Sequence, residues 1–370
     1  MLNSHLLRFL LSLLLCWPLL GFAHHPADTR ITFINPGHRE QGFWKDVSDT
    51  MQAAAEQLGF ALTIHSSNRE WPTMLEHANR VIQANEPPDI LILVNEHQQA
   101  AELVAAANQR GIKTFLLLNN LTAEQIQMVG EARQQLPHWL GSLTPDNRRA
   151  GYEMAHSLLA NLPPHQNKHP LALLSLAGDY LTPASLQRLE GLDDAIGHHP
   201  DLVEQRRLTA QWSFEQAYNL TRLWLIDKQP LGAIWAANDD IALGAIKALE
   251  EADIQPGKQV KVCGLNWSRP ALEAVQQGKM TLTHGGHFLA GGWSMVLLYD
   301  YLHGADFATP SPHQGFAMTA IDQDNVGDFL ATFAERDWQK ISFSRFSRAL
   351  HPEISHYDFS LPKLLAAARR

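Results

Sequence analysis

In the stretch GAIWAANDDIALGAIKALEE, the apolar run Gly232 to Ala237 gives way without transition to Asn238, Asp239 and Asp240. The run is short and flanked by polar text, which reads as a buried strand. After it Ile241, Ala245, Ile246 and Leu249 recur at helical spacing, and Asn or Asp ahead of such a pattern is an N-cap. The three polar residues therefore sit on the turn leaving the carboxyl end of a strand, where open α/β sheets bind ligands. Their chemistry is hydrogen bonding, either to the helix they start or to a small molecule above the sheet. A second candidate is the pair His284 and His287, whose spacing could place two imidazoles together on a metal; Gly285 and Gly286 between them argue instead for an extended turn. No nucleophile paired with a base and no phosphate-cradling glycine loop is found, so the chain reads as a binder without metal or cofactor, not an enzyme.

The elements that must carry these residues alternate regularly. From Ile31, ITFINP reads as a strand, followed by a helix with Trp44, Val47, Met51, Ala54 and Leu58 in one stripe, closed by Gly59. FALTIH is the next strand and Pro72 to Ala84 a helix with Leu75, Ala78 and Ile82 inward. DILILV is a buried strand, Ala100 to Gln109 a helix ended by Gly111, and KTFLLL a further strand. A second series starts near Gly151: helix GYEMAHSLLANL, strand LALLSLAG, helix SLQRLEGLDDAIG, strand RRLTAQW, helix FEQAYNLTRLWLI, strand GAIWAA, a helix, and strand VKVCGLN. Runs of βαβ units form parallel sheets with right-handed crossovers, so two similar α/β lobes are expected. Between them Pro145, Asp146 and Asn147 mark a turn and crossing point. KMTLTHGG reads as one more strand before the helix LAGGWSMVLLYDYLHG, whose glycines suit either a hinge or close helix packing. The aromatic, basic tail beyond Asp337 has no clear period and is expected to dock on the lobes.

With 370 residues and 45% hydrophobic content, the chain can bury a large core and is long enough for two domains. Its first 23 residues, with Arg8, an apolar stretch from Phe9 to Leu20, and the small residues Gly21 and Ala23, read as a secretory signal. The apolar stretch is shorter than the roughly 20 residues of a membrane span, and Pro18 interrupts it. Leu15 ahead of Cys16 is bulkier than the small residue that lipoprotein processing prefers. Removing this segment takes away Arg8 and no acid, moving the formal charge from −9 to −10. A mildly acidic chain lacks the basic stripe of a nucleic-acid binder. Cys263 is then the lone cysteine, so no intrachain disulfide forms and the core alone must hold the exported fold.

The segments INPGHREQGFWKDV, GIKTFLLLNN, GSLTPDNRRAGYEMA, SLQRLEGL, IWAANDDIALGA, VCGLNWS and GKMTLTH, in this order and spacing, carry a resemblance over residues 31 to about 310. The chain resembles the type I periplasmic binding proteins, most closely the ribose-binding branch of the sugar receptors of ABC importers. The resemblance implies an α/β fold of two similar doubly wound parallel-sheet lobes joined by a three-segment hinge. One lobe would comprise residues 24–143 plus 286–316, the other 144–285 plus 317–340, with 341–370 as the docked tail. It also implies a pocket: the aromatic pair Phe43 and Trp44, Trp212 on the ligand's other face, Arg188 from an R-x-x-G pattern, Asn238, and a polar hinge residue that falls on His284. A sugar's C–H face is apolar, so flat aromatics hold it while polar groups around the rim read its hydroxyls. Asn238 can donate and accept, which suits an OH that does both.

Two departures stand out. The family commonly places aspartates where this chain has Asn119 followed by Asn120, and again where it has Asn266. Hydrogen bonds to an ionised acceptor are about twice as strong as neutral ones, so a weaker sugar grip or a different ligand is expected. The first aromatic loop is also longer by Pro36, Gly37, His38 and Arg39; unless Arg39 is merely solvated, it would join Arg188 in favouring an anionic or phosphorylated molecule. Trp267 beside Asn266 is either a further wall or ordinary packing.

The implied function is that of a monomeric periplasmic solute receptor that captures a small polar, sugar-like ligand by hinge closure and delivers it to an ABC permease. The alternative is a sensory subunit docking its closed form on a membrane histidine kinase, cyclase or chemoreceptor, since both roles use the same closed-lobe signal. A repressor of the lactose-repressor type shares this core but would begin with a helix-turn-helix in place of the secretory signal.

Overall fold

The computed structural model describes residues 29–160 and 170–368; the expected secretory signal, with Cys16, lies outside them. The first half runs β1 (Arg30–Asn35), α1 (Gly42–Leu58), β2 (Ala61–Ser66), α2 (Trp71–Gln83), β3 (Ile90–Leu93), α3 (Ala100–Gln109), β4 (Lys113–Leu117), α4 (Ala123–Val129) and β5 (Trp139–Pro145). A second series follows: α5 (Asn147–Ala160), β6 (Leu171–Ala177), α6 (Pro183–His198), β7 (Leu202–Thr209), α7 (Phe214–Ile226), β8 (Ala233–Ala236), α8 (Asp239–Glu251), β9 (Lys261–Leu265), α9 (Arg269–Gln276) and β10 (Leu282–Gly285). The chain closes with α10 (Ala290–Leu302), β11 (His313–Phe316), β12 (Thr319–Asp322), α11 (Val326–Phe333) and α12 (Leu361–Ala368).

These strands form two six-stranded sheets, ordered β11-β5-β4-β3-β1-β2 and β12-β10-β9-β8-β6-β7. Every pairing is parallel except β10 with β12. Strands such as β3 (ILIL) and β8 (AIWA) are wholly apolar and wholly buried, as strands covered by helices on both faces must be. In each sheet the winding reverses beside the first strand, between β1 and β3 and between β6 and β8, which leaves a crevice at the carboxyl ends. The chain passes between sheets three times. It leaves β5 for α5 at Pro145–Asn147, leaves β10 for α10 at Gly285–His287, and leaves β11 for β12 at Ala317–Met318.

Local departures from the sequence reading have local causes. β5 is a full strand although Gly141 and Ser142 interrupt its apolar text. A Cβ on Gly141 would lie 2.0 Å from the carbonyl oxygen of Pro312, so the glycine is what lets the chain entering β11 approach. In α2 the fully buried stripe is Met74, Ala78 and Ile82, with Leu75 only half-buried. The paired glycines of α10 serve packing: Cβ atoms there would lie 2.1 Å from the Val47 carbonyl oxygen of α1 and 2.2 Å from the ring of Phe343.

The tail after α11 lies across the back of the molecule. Gln57 of α1 donates to the Ile341 carbonyl at 2.8 Å and accepts from the Phe343 amide at 2.9 Å. Buried Asp300 of α10 accepts from the amides of Arg348 (2.7 Å) and Ala349 (3.0 Å), from the Tyr357 hydroxyl (2.8 Å) and from the Ser347 hydroxyl. Phe359 stacks on Trp293 with ring centroids 4.6 Å apart, and Leu361 and Leu364 close over Gly285, Gly286 and Thr319 of the crossing segments. Arg336, just beyond α11, forks onto Asp46 of α1 at 2.9 and 2.6 Å, while its Nη1 donates to the Trp267 carbonyl at 2.9 Å. One side chain thus spans from the first lobe to the second behind the hinge.

Candidate ligand-binding cleft

The carboxyl ends of both sheets face a shared cleft of about 490 Å³. Its first-lobe wall is aromatic. Asn35 at the end of β1 accepts the Gly37 amide at 2.7 Å and so shapes the loop into α1. Glycine is required at 37 because a Cβ would lie 2.0 Å from the Trp44 ring. Phe43 meets Trp44 edge-on at 5.2 Å and stacks on His287 at 4.5 Å.

The second-lobe wall is held by hydrogen bonds. Gln211 and Trp212 both adopt left-handed backbone, with φ of +51° and +56°, and the Trp212 ring rests on Gly178, where a Cβ would clash at 2.3 Å. Its indole N–H donates to Asp179 at 2.6 Å. Arg188 projects from α6 with its guanidinium 5.6 Å from the Trp212 ring centroid. It donates from Nε to Asn147 Oδ1 at 3.0 Å, from Nη1 to the Ala237 carbonyl at 2.7 Å, and places Nη2 3.5 Å from His287 Nε2. Three of five donors are then engaged, leaving two for a ligand. Burial pulls this guanidinium down to about 9, against the opposing pull of Asp239, so it stays charged at neutral pH. Asn238 caps α8 by accepting the Ile241 amide at 2.9 Å, and its side chain also lines the cleft. Beneath it, buried Asp239 accepts from Thr283 (2.7 Å) and the Ser268 amide (2.8 Å); burial raises it to about 7.

Of the nine residues expected at the site, Phe43, Trp44, Asn119, Arg188, Trp212, Asn238 and Asn266 line the cleft, whereas Asn120 and His284 do not. Leu118 reverses the chain at φ +65°, so Asn119 faces the cleft and accepts the Ala184 amide of the other lobe at 3.1 Å. Asn120 turns away, its Nδ2 3.4 Å from His313 of β11. His284 remains within β10, with Nε2 3.4 Å from Glu153. Gly286 then reverses the backbone at φ +95°, which brings His287 to the cleft instead. Burial, reinforced by Arg149 and Arg188, lowers His284 to about 4, and burial, reinforced by Arg188 and His284, holds His287 well below its ordinary value. A neutral His287 is what lets Nε2 accept from Arg188. Trp267 is buried packing: its indole donates to the Thr319 carbonyl at 3.0 Å, and its ring fills the space a side chain at Gly285 would need.

The charged groups also differ from expectation. Arg39 lies outside the cleft, paired with Asp49 at 2.7 Å. Arg69, Glu96 and Asp240 line the cleft instead, with Arg69 Nη1 3.6 Å from Glu96. Burial raises the Glu96 carboxyl, opposed by Arg69. Arg69, Asp240, His287, Gln211 and Asn147 each lie within four residues of the end of a strand, the one sequence signal that points to them.

Residues 31–306 match the family model described as a periplasmic binding protein domain. Among curated proteins the chain is 26% identical over 289 residues to the xylitol-binding protein of Mycolicibacterium smegmatis, covering 77% of this chain and 75% of that one. It is 27% identical to the ribose import binding protein of Haemophilus influenzae, over 65% and 74% of the two chains. A solved structure, a periplasmic sugar-binding protein from Pseudomonas fluorescens, superposes with a TM-score of 0.81 at 30% identity, covering 91% of this chain and 99% of that one. The family match and the two-lobed α/β architecture agree: this chain belongs to the periplasmic binding proteins, and it is a binding protein rather than an enzyme.

Proposed function

We propose that the chain captures a neutral polyhydroxylated molecule, a sugar or polyol, between its lobes and delivers it to an ABC importer. One observation carries this reading. Aromatic walls from opposite lobes, Phe43 and Trp212, flank a cleft whose lining cations and carboxylates balance, Arg69 and Arg188 against Glu96 and Asp240. Flat rings suit an apolar C–H face, and a balanced rim of donors and acceptors suits hydroxyls better than a phosphate or carboxylate. The anionic ligand that Arg39 favoured loses its support, because that arginine lies outside the cleft on Asp49, a carboxylate it shares with Lys45. The weak grip expected from Asn119 and Asn266 is offset by Asp240 and Glu96, carboxylates at other positions of the same cleft. The names of similar proteins, which bind xylitol and import ribose, support the same ligand class.

Protein purified from its own compartment and weighed by native mass spectrometry tests the proposal, followed by calorimetry against pentoses, hexoses and polyols. A retained neutral polyol or sugar mass is expected. A retained phosphorylated or carboxylated mass, or no heat with any member of the panel, overturns it.

A further inference from the structure

Asp179 stands at the exit of β6 and is 4% exposed. Its Oδ1 accepts the amides of Leu181 (2.8 Å) and Thr182 (2.6 Å); its Oδ2 accepts the Thr182 hydroxyl (2.7 Å) and the Trp212 indole N–H (2.6 Å). One carboxylate therefore ties two separate segments together, the turn into α6 and the loop after β7 that carries the ring wall. Trp212 needs such a tie. Its backbone and that of Gln211 are left-handed, and the ring sits on a glycine with no Cβ beneath to set its angle. The turn is also where the lobes meet: Gln98 donates to the Leu181 carbonyl at 3.2 Å, and the Ala184 amide donates to Asn119 at 3.1 Å.

We propose that Asp179 is a positioning residue of the cleft, setting the orientation of the Trp212 ring and joining that ring to the turn through which the lobes touch. The inference rests on Trp212 being the stacking wall proposed above. Burial alone would raise the Asp179 carboxyl, but its donors outweigh that and hold it below its ordinary value, so the acceptor is an anion across the neutral range. An anionic acceptor makes the indole bond short and roughly twice as strong as a neutral one. Asparagine separates the two roles. It keeps one carbonyl oxygen for the Leu181 and Thr182 amides, but offers an NH2 group, a donor, to the indole and the Thr182 hydroxyl.

The test is a ¹H–¹⁵N spectrum of the full chain without added sugar, with the Trp212 indole peak identified by its loss in Trp212→Phe. The expected peak lies downfield, exchanges slowly, and moves as pH falls through the lowered ionisation of Asp179. In Asp179→Asn the downfield displacement and the pH dependence vanish while the other indole peaks stay in place. An indole peak that Asp179→Asn leaves unmoved, or that lies at an ordinary position and exchanges fast in the unaltered chain, overturns the proposal. If Asp179→Asn does not fold, the position and exchange rate of the peak in the unaltered chain decide alone. No sugar enters the measurement, so its outcome is separate from that of the ligand panel.

Discussion

The two walls of the cleft do one job by opposite means. On the first lobe, Phe43 and His287 hold each other by ring contact, with Trp44 seated over Gly37. On the second, Trp212, Arg188 and Asn238 are each fixed by short hydrogen bonds to buried or backbone partners. A packed wall adapts to small changes in volume, whereas a hydrogen-bonded wall fails when one partner is removed. The first lobe should therefore supply tolerant contact area and the second supply orientation.

Mutations sharpen that contrast. Arg188→Met is expected to have the largest effect. It strips donors from Asn147 and the Ala237 carbonyl, lowering stability by about 3 kcal/mol in urea unfolding and abolishing binding of the retained ligand. An unchanged urea midpoint would mean that the second wall is not built on this guanidinium. Trp212→Ala removes a stacking face, worth about 1–3 kcal/mol of affinity by analogy with base stacking, so calorimetry should show that loss, and the unfolding midpoint should fall as well because buried Asp179 loses a donor. Asn238→Ala loses a cap worth about 1 kcal/mol, while Asn238→Asp keeps the cap and isolates the ligand contact; equal stability of the two variants would contradict the capping role. Phe43→Leu, on the tolerant wall, should cost only about 0.5–1.5 kcal/mol of ring contact in either assay.

The smallest expected effect is the net slope of stability with pH. His284 and His287 stay neutral in the fold, so the unfolded chain binds more protons below 6.5, and this contribution is lost as pH falls toward 4. Asp239 and Glu96 are raised in the fold, so their contribution runs the other way and grows on acidification. Lowered His65 and His313 add to the first pair and raised Asp240 to the second, so the two sets oppose each other and partly cancel between pH 6.5 and 4. His284→Gln tips the balance toward greater relative stability in acid; urea midpoints across that range that do not tilt this way would exclude a neutral buried His284.

What the sequence made legible follows from this division of labour. Strands such as β3 and β8 are apolar runs because both faces are covered, and helices such as α1 show a stripe because one face is. β5 and β11 escape the same logic: Gly141 interrupts the apolar text of β5 where the Pro312 carbonyl approaches, and β11, HQGF, is only partly covered and has no apolar run. In the cleft, residues one or two steps beyond a strand end were readable: Asn119, Asn238 and Asn266 all point inward. His284 and Asn120 lie outside the lining because His284 is still within β10 and because Leu118, a residue type that does not announce a left-handed turn, reverses the chain ahead of Asn120. Arg69, itself at φ +69°, was missed for the same reason.

Arg336 links the two lobes outside the cleft. Asp46 moves with the first lobe and Trp267 with the second, and both are held by the same guanidinium. Any rotation that separates them must break one of these bonds or carry the tail with it. For lobes that open and close, such a tether contributes to the free energy between the two states from the far side of the cleft. Where a ligand selects the closed form, its apparent dissociation constant scales inversely with the fraction already closed. Two chains with identical cleft residues and different tails would then bind the same sugar with different strength.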